Sequence, residues 1–156
     1  MNEKLVTAAG LGTVTGLRSM TGLAMVSREL SDRRRLPRGA SRLEEWLAED
    51  LVAVTLSALA LGEIVADKLP GVPDRIAPGA LFGRGLIGGL VGAIAAGADH
   101  RAAGAAIGTA AAVCAAYLGW FLRQEAGRAT MLPDAAVALV EDAVALASAR
   151  ELAREL

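Results

Sequence analysis

Residues 62–84 read GEIVADKLPGVPDRIAPGALFGR, and the reading of this stretch decides the fold. An apolar run, Leu51 to Leu61, leads into it, and a second, Leu86 to Ala98, leads out. Between them lie Glu63, Asp67, Lys68, Asp74, Arg75 and Arg84, with Pro70, Pro73 and Pro78 breaking any helix. Charges flanked this closely by membrane-grade hydrophobicity are costly unless paired or hydrated. The stretch therefore reads as the turn between two membrane helices, with polar groups near the helix ends.

Composition agrees with that reading. The chain has 156 residues, 54% of them hydrophobic, and another 18 are glycine. Mean hydropathy is +0.44. A usual soluble domain is roughly half apolar with glycine already counted. One domain is the natural count at this length. The net charge of -1 gives no footprint for nucleic acid. Cys114 is the single cysteine, so no internal disulfide forms, and its Ala-rich surroundings predict a small packing residue.

Outward from the central stretch, the apolar runs predict five helices near residues 5–28, 50–69, 80–97, 102–123 and 134–149. The first has Lys4 as its only early positive charge, with Glu3 before it, and reads as a retained helix instead of a signal peptide. It is long enough for a hydrocarbon core of roughly 30 Å. Gly16-Leu17-Arg18-Ser19 fits a break, but Gly10, Gly12, Gly16 and Gly22 read more simply as the packed face of one continuous helix. A basic loop, residues 29–42, follows, with Pro37 and Gly39 inside it. Such a loop is usually cytoplasmic and suits anionic lipid heads. Ser41 and Glu44 have capping-box spacing and start a short amphipathic segment through Trp46.

The second helix is clean up to Gly62. Glu63 and Asp67 then fall four apart on one face, and Pro70-Gly71 stops it. The third pairs Gly85 with Gly89 and Gly88 with Gly92, a small-residue face that predicts close contact with a neighbouring helix. Asp99-His100-Arg101 forms a polar turn, with His100 exposed. The fourth helix repeats the small spacing at Gly104 and Gly108 and ends in Tyr117, Trp120 and Phe121, which suit a membrane interface. The fifth carries Glu141 and Asp142 at its middle.

If all five helices cross, nine basic residues share the loop's side and five the other, which places the amino terminus outside and the carboxyl terminus inside. Residues 11–29 also align without a gap on residues 107–125, and ALALGE before the central stretch matches AVALVE before Asp142. This faint repeat has the polarity of an inverted repeat.

No soluble-enzyme constellation stands out. No Ser/His/Asp spacing, Cys/His metal cluster or phosphate loop is visible, and neither cofactor nor metal is expected. The informative set is Arg18, Glu63, Asp67, Lys68, Arg84, Glu141 and Asp142. Intramembrane ionisable residues are functional candidates by default, with partners expected. In such apolar segments Arg18 or Arg84 should lie against Glu63 or against Glu141/Asp142.

GLRSMTGLA, GEIVADKLPGVPDR, the following GR and the late VEDAVA together resemble a bacterial family of small integral membrane proteins, domain of unknown function 4126. The resemblance covers roughly Leu5 to Ala147, and Glu63-x-x-x-Asp67-Lys68-x-Pro70-Gly71 is its most specific part. It implies an all-α, polytopic helix bundle of the inner membrane, with Arg18, Glu63, Asp67, Lys68, Pro70, Arg84, Glu141 and Asp142 as the matching positions. It implies no activity. The expected function is a transporter or channel for an ion or small polar solute, with a homodimer in the lipid bilayer as the expected assembly. The alternative is a structural or lipid-associated protein whose charges only hold the bundle together. An enzyme acting on lipid headgroups is a weak third.

Overall fold

A computed structural model describes residues 3–33, 36, 39–66, 76–129 and 134–156; for residues 126–129 and 134–141 it describes the backbone alone. Every regular element among them is helical. In order they are α1 (Glu3–Leu17), α2 (Ser19–Asp32), α3 (Arg42–Leu47), α4 (Asp50–Ala66), α5 (Pro78–Ala96), a 3-10 turn (Ala98–His100), α6 (Arg101–Ala129) and α7 (Asp134–Ala153). Among the described residues two stretches are long and apolar enough to cross a membrane: Pro78–Ala96 and Ala98–Glu125. α4 has 17 residues, α1 15 and α2 14.

The first expected helix is not continuous. Arg18 is extended, at φ -140° and ψ 104°, and divides the segment into α1 and α2. The two halves then fold back on each other. α1 runs antiparallel to α7: Thr7 meets Glu155, Gly10 meets Leu152, Val14 meets Ala145 and Ala149, and Arg18 meets Asp142. α2 runs parallel to α7, because Arg33 reaches the carbonyl of Arg154 at the far end. α1 and α2 are therefore antiparallel, a helical hairpin with Arg18 at its apex. A Cβ on Gly22 would strike the Thr15 hydroxyl, so Gly22 is what lets the arms close. Each arm is about 21–22 Å long at 1.5 Å per residue. That is short of the roughly 30 Å needed to cross a bilayer core.

The physical reason for the break is tertiary. A guanidinium, a hydroxyl, a pair of N–H groups and a carbonyl at the apex find partners on three other helices, described below. Periodicity along one helix contains no trace of those partners. The aligned segments of the faint repeat consequently differ in shape, because residues 11–29 fold at Arg18 while residues 107–125 form one unbroken helix.

The hairpin also moves the ends of the chain. The start of α1, the end of α2, α3, the start of α4, the end of α5 and the carboxyl tail share one end of the bundle. Lys4 approaches Gly97, Ser31 bonds Asp50, and Arg33 bonds Arg154 there. The expected placement of the termini on opposite sides is thus corrected. Seven described basic residues lie at that end: Lys4, Arg28, Arg33, Arg42, Arg101, Arg150 and Arg154. Arg123 belongs to the other end.

The core is a trio of α1, α5 and α6 brought together by glycine. A Cβ on Gly88 would lie 2.5 Å from Ala112 Cβ, and one on Gly12 would lie 2.5 Å from the Gly108 carbonyl. Gly92 crosses Gly104 just as closely, backbone to backbone. Gly89 meets the Thr109 side chain, whereas Gly85 makes ordinary contacts of 3.6 and 3.7 Å with Thr109 and Val113. Thr109 Oγ1 adds a hydrogen bond to the Gly85 carbonyl at 3.1 Å. α2 packs outside this trio, flanked by α4 and α7. Cys114 is exposed on the outer face of α6, because the glycine ridge, not the cysteine, faces inward.

Candidate functional site

Breaking a helix leaves backbone groups without partners on both sides of the break. α2 begins with free N–H groups, and Arg18 supplies no side-chain cap for them. Glu63 of α4 fills that role from outside. Its Oε1 accepts from the Ser19 N–H at 2.9 Å and from Ser19 Oγ at 2.6 Å, and its Oε2 accepts from the Met20 N–H at 2.9 Å. A carboxylate here also suits the positive end of the helix dipole.

The other side of the break is closed with the opposite charge. Arg84 Nε of α5 donates to the Gly16 carbonyl, in the last turn of α1, at 3.1 Å. A cation suits the negative end of that helix. Arg84 Nη2 also lies 3.8 Å from Glu63 Oε1, so the two capping groups form an ion pair with each other. The apex residue makes the second pair, Arg18 with Asp142 of α7.

All of this is enclosed. Arg18 is 1% exposed, Asp142 5% and Arg84 6%. The four charges sum to zero, which lowers the cost of burial. They lie well inside the bundle: Arg84 is about 9 Å along α5 from Pro78, and Asp142 about 12 Å along α7 from Asp134. The site therefore joins α1, α2, α4, α5 and α7 at one point.

Of the seven sequence candidates, Arg18, Glu63, Arg84 and Asp142 come together here. Asp67, Lys68 and the Glu141 side chain lie outside the described residues. Sequence reasoning passed over Ser19, Met20 and Gly16, which act through backbone atoms and one hydroxyl. Their one signal was the Gly16-Leu17-Arg18-Ser19 alternative.

Two further features adjoin the site. A cleft of about 590 Å³ lies between α2, α4 and α7 and opens at the basic end. Its inner part reaches Thr21, which is 1% exposed and whose hydroxyl has no hydrogen-bond partner among the described residues. At the opposite, basic end of the bundle, Glu44 completes the expected capping box with Ser41 and also binds Arg101 Nη2 at 2.6 Å. Arg101 donates as well to the Gly39 carbonyl at 3.1 Å, tying the loop before α3 to the start of α6. Burial pushes the Glu44 carboxyl up, but hydrogen bonds from Ser41 and the Arg101 guanidinium outweigh it and hold the group below its usual range.

No family model matches the chain, and no curated protein and no solved structure is significantly similar to it.

Proposed function

We propose that this is a multi-pass protein of the bacterial inner membrane in which α4, α5, α6 and α7 cross the bilayer. In this reading the α1–α2 hairpin enters and leaves on the basic, cytoplasmic side. Two observations support it. The span Ala98–Glu125 is strongly apolar yet only 22% buried, whereas the core helix of a soluble protein would be mostly covered. Large apolar side chains also point outward on successive helices, among them Leu51 (76% exposed), Phe82 (69%) and Leu122 (63%). Soluble monomers rarely expose contiguous apolar surface on such a scale. The resemblance to domain of unknown function 4126 belongs to the same proposal, and among the described residues it rests on Arg18, Glu63, Arg84 and Asp142.

The proposed activity is passage of an ion or small polar solute through the apex cluster. The observation that carries it is the helix break itself. Two half-helices meet inside the bundle, and their exposed backbone ends are served by removable side-chain charges. Discontinuous helices at membrane depth form substrate and ion sites in transporters. Glu63 acts as the latch: when it leaves Ser19 and Met20, two N–H groups, a hydroxyl and Arg84 become free to bind a solute. The unpartnered Thr21 hydroxyl stands next to them. One copy encloses little space here, so a homodimer is the proposed assembly.

A second reading has its own observation. All four charges of the cluster are paired, which suits a bundle held together by them and nothing more. Proteoliposome flux separates the two. On the transport reading, wild-type vesicles carry flux of at least one small ion or solute. Glu63→Gln protein that still inserts and elutes like wild type carries none. Absence of any flux from the wild type across a broad screen leaves the structural reading in its place.

A further inference from the structure

The cleft between α2, α4 and α7 is not used by the apex cluster, and its chemistry changes along its length. Its inner wall is apolar, formed by Ala24, Met25, Ala60, Leu61, Ile64 and Leu146. Its mouth is charged, with Arg28, Arg150 and Arg154 beside Glu29 and Asp32. The apolar part runs from Thr21 to Arg28, about 10 Å along α2. Among the described residues α4 and α7 both pack on α2 and make no extensive contact with each other, which leaves the cleft open sideways.

The mouth is not internally neutral. Glu29 is taken by Arg33 at 2.7 Å, and Arg154 by Glu151 at 2.9 Å. Arg28 and Arg150 are exposed and have no ion-pair partner among the described residues, and the same holds for Asp32. Two unpaired cations and one unpaired carboxylate leave a single positive charge. That is the complement of one phosphodiester. An apolar slot open to the side, ending in one excess positive charge at the bundle's basic end, has the amphiphilic pattern of a phospholipid. Basic pockets between helices on the cytoplasmic side are where anionic headgroups bind.

We infer that the cleft between α2, α4 and α7 binds one anionic phospholipid, its acyl chain along α2 and its phosphate at Arg28 and Arg150. The inference rests on the membrane reading above but not on transport. Occupancy fills a gap between α4 and α7 that the protein's own side chains leave open. It therefore couples lipid composition to the position of α4, the helix that carries Glu63.

The test is lipid retention and stability in the purified full chain. Protein is reconstituted in vesicles of equimolar phosphatidylcholine and phosphatidylglycerol, extracted in mild detergent, and its bound lipid is counted by native mass spectrometry. Wild type should retain one phosphatidylglycerol and show a rise in melting temperature when that lipid is titrated in. Arg28→Gln with Arg150→Gln should weaken it roughly thirtyfold, from about one charge's worth of attraction per arginine. Both side chains are exposed, so this variant should fold as wild type does. Ala60→Phe, which fills the inner wall, should displace the lipid while leaving both arginines in place. Arg42→Gln, a surface charge at the same end but outside the cleft, should change nothing. Equal retention of both lipids, or wild-type affinity in the double variant, would overturn the assignment. So would a cleft covered by a second copy, seen as a lipid-free dimer that Ala60→Phe dissociates. Failure of the chain to partition into vesicles at all would instead refute the membrane reading.

Discussion

A buried charge is most informative through what happens when its partner is removed. Asp142→Asn would leave Arg18 charged and enclosed, at a cost of about 3–5 kcal/mol. Replacing both with apolar residues of similar size should cost less than the sum of the single changes, measured by thermal unfolding in detergent. Glu63→Gln should behave differently. Its amide oxygen still accepts from Ser19, but its NH2 meets the Met20 N–H, donor against donor, and Arg84 loses its counter-charge. A loss of about 1.5–3 kcal/mol is expected, the usual value for hydrogen bonds to a charged group. Adding Arg84→Met should recover part of it. At the other end, Glu44 gives a pH signature. Its carboxyl is held below the ordinary value of 4.5, so the folded state favours the ionised form. Its contribution is complete above 4.5 and fades as pH falls through the lower, folded value. The stability difference between wild type and Glu44→Gln should therefore be flat at neutral pH and shrink only in acid. A difference that grew on acidification would contradict the geometry at Ser41 and Arg101.

At the scale of elements, glycine position matters more than glycine content. Gly88, Gly92, Gly104 and Gly108 sit where a Cβ would collide with the facing backbone. Gly83, one turn away on the same helix, has nothing within 4 Å. Gly92→Ala should cost about 1–3 kcal/mol through overpacking, more if α5 and α6 separate. Gly83→Ala should be neutral or stabilising by about 0.5–1 kcal/mol, through helix propensity alone. Thermal melts of the two variants side by side decide this. The small-residue spacing made the α5 face legible in the sequence, because it repeats along one helix. Element positions from α3 onward were legible for a similar reason: Pro70, Pro78 and the capping box of Ser41 and Glu44 are local signals. The break at Arg18 was not. Its causes are Glu63, Arg84 and Asp142, which come from three helices distant in sequence. The four glycines of residues 5–28 look alike whether they face a neighbour or, as Gly22 does, the other arm of the same hairpin.

For the whole molecule, the hairpin changes the parity of the chain. On the proposed membrane reading, with the hairpin returning to its own side and α4 to α7 crossing, both termini lie on one side of the bilayer. Reporter fusions at residue 1 and residue 156 should give the same sign, and the positive-inside rule makes it cytoplasmic. Opposite signs would mean that α1 and α2 run end to end across the membrane. Reading residues 5–28 as one crossing gives the opposite arrangement, because one crossing more or fewer inverts everything before it.

The pairing of Arg18 with Asp142 also has a consequence in time. The hairpin is made first and α7 last, so during synthesis Arg18 lacks its Asp142 partner until nearly the whole chain has left the ribosome. On the membrane reading, an arginine still missing its carboxylate partner on α7 is costly to bury, so the nascent hairpin should wait at the membrane surface and sink into place only when α7 arrives. A chain stopped after Ala129 should accordingly leave residues near Arg18 open to protease, and the complete chain should protect them. The first segment synthesised would then be the last to take its final position.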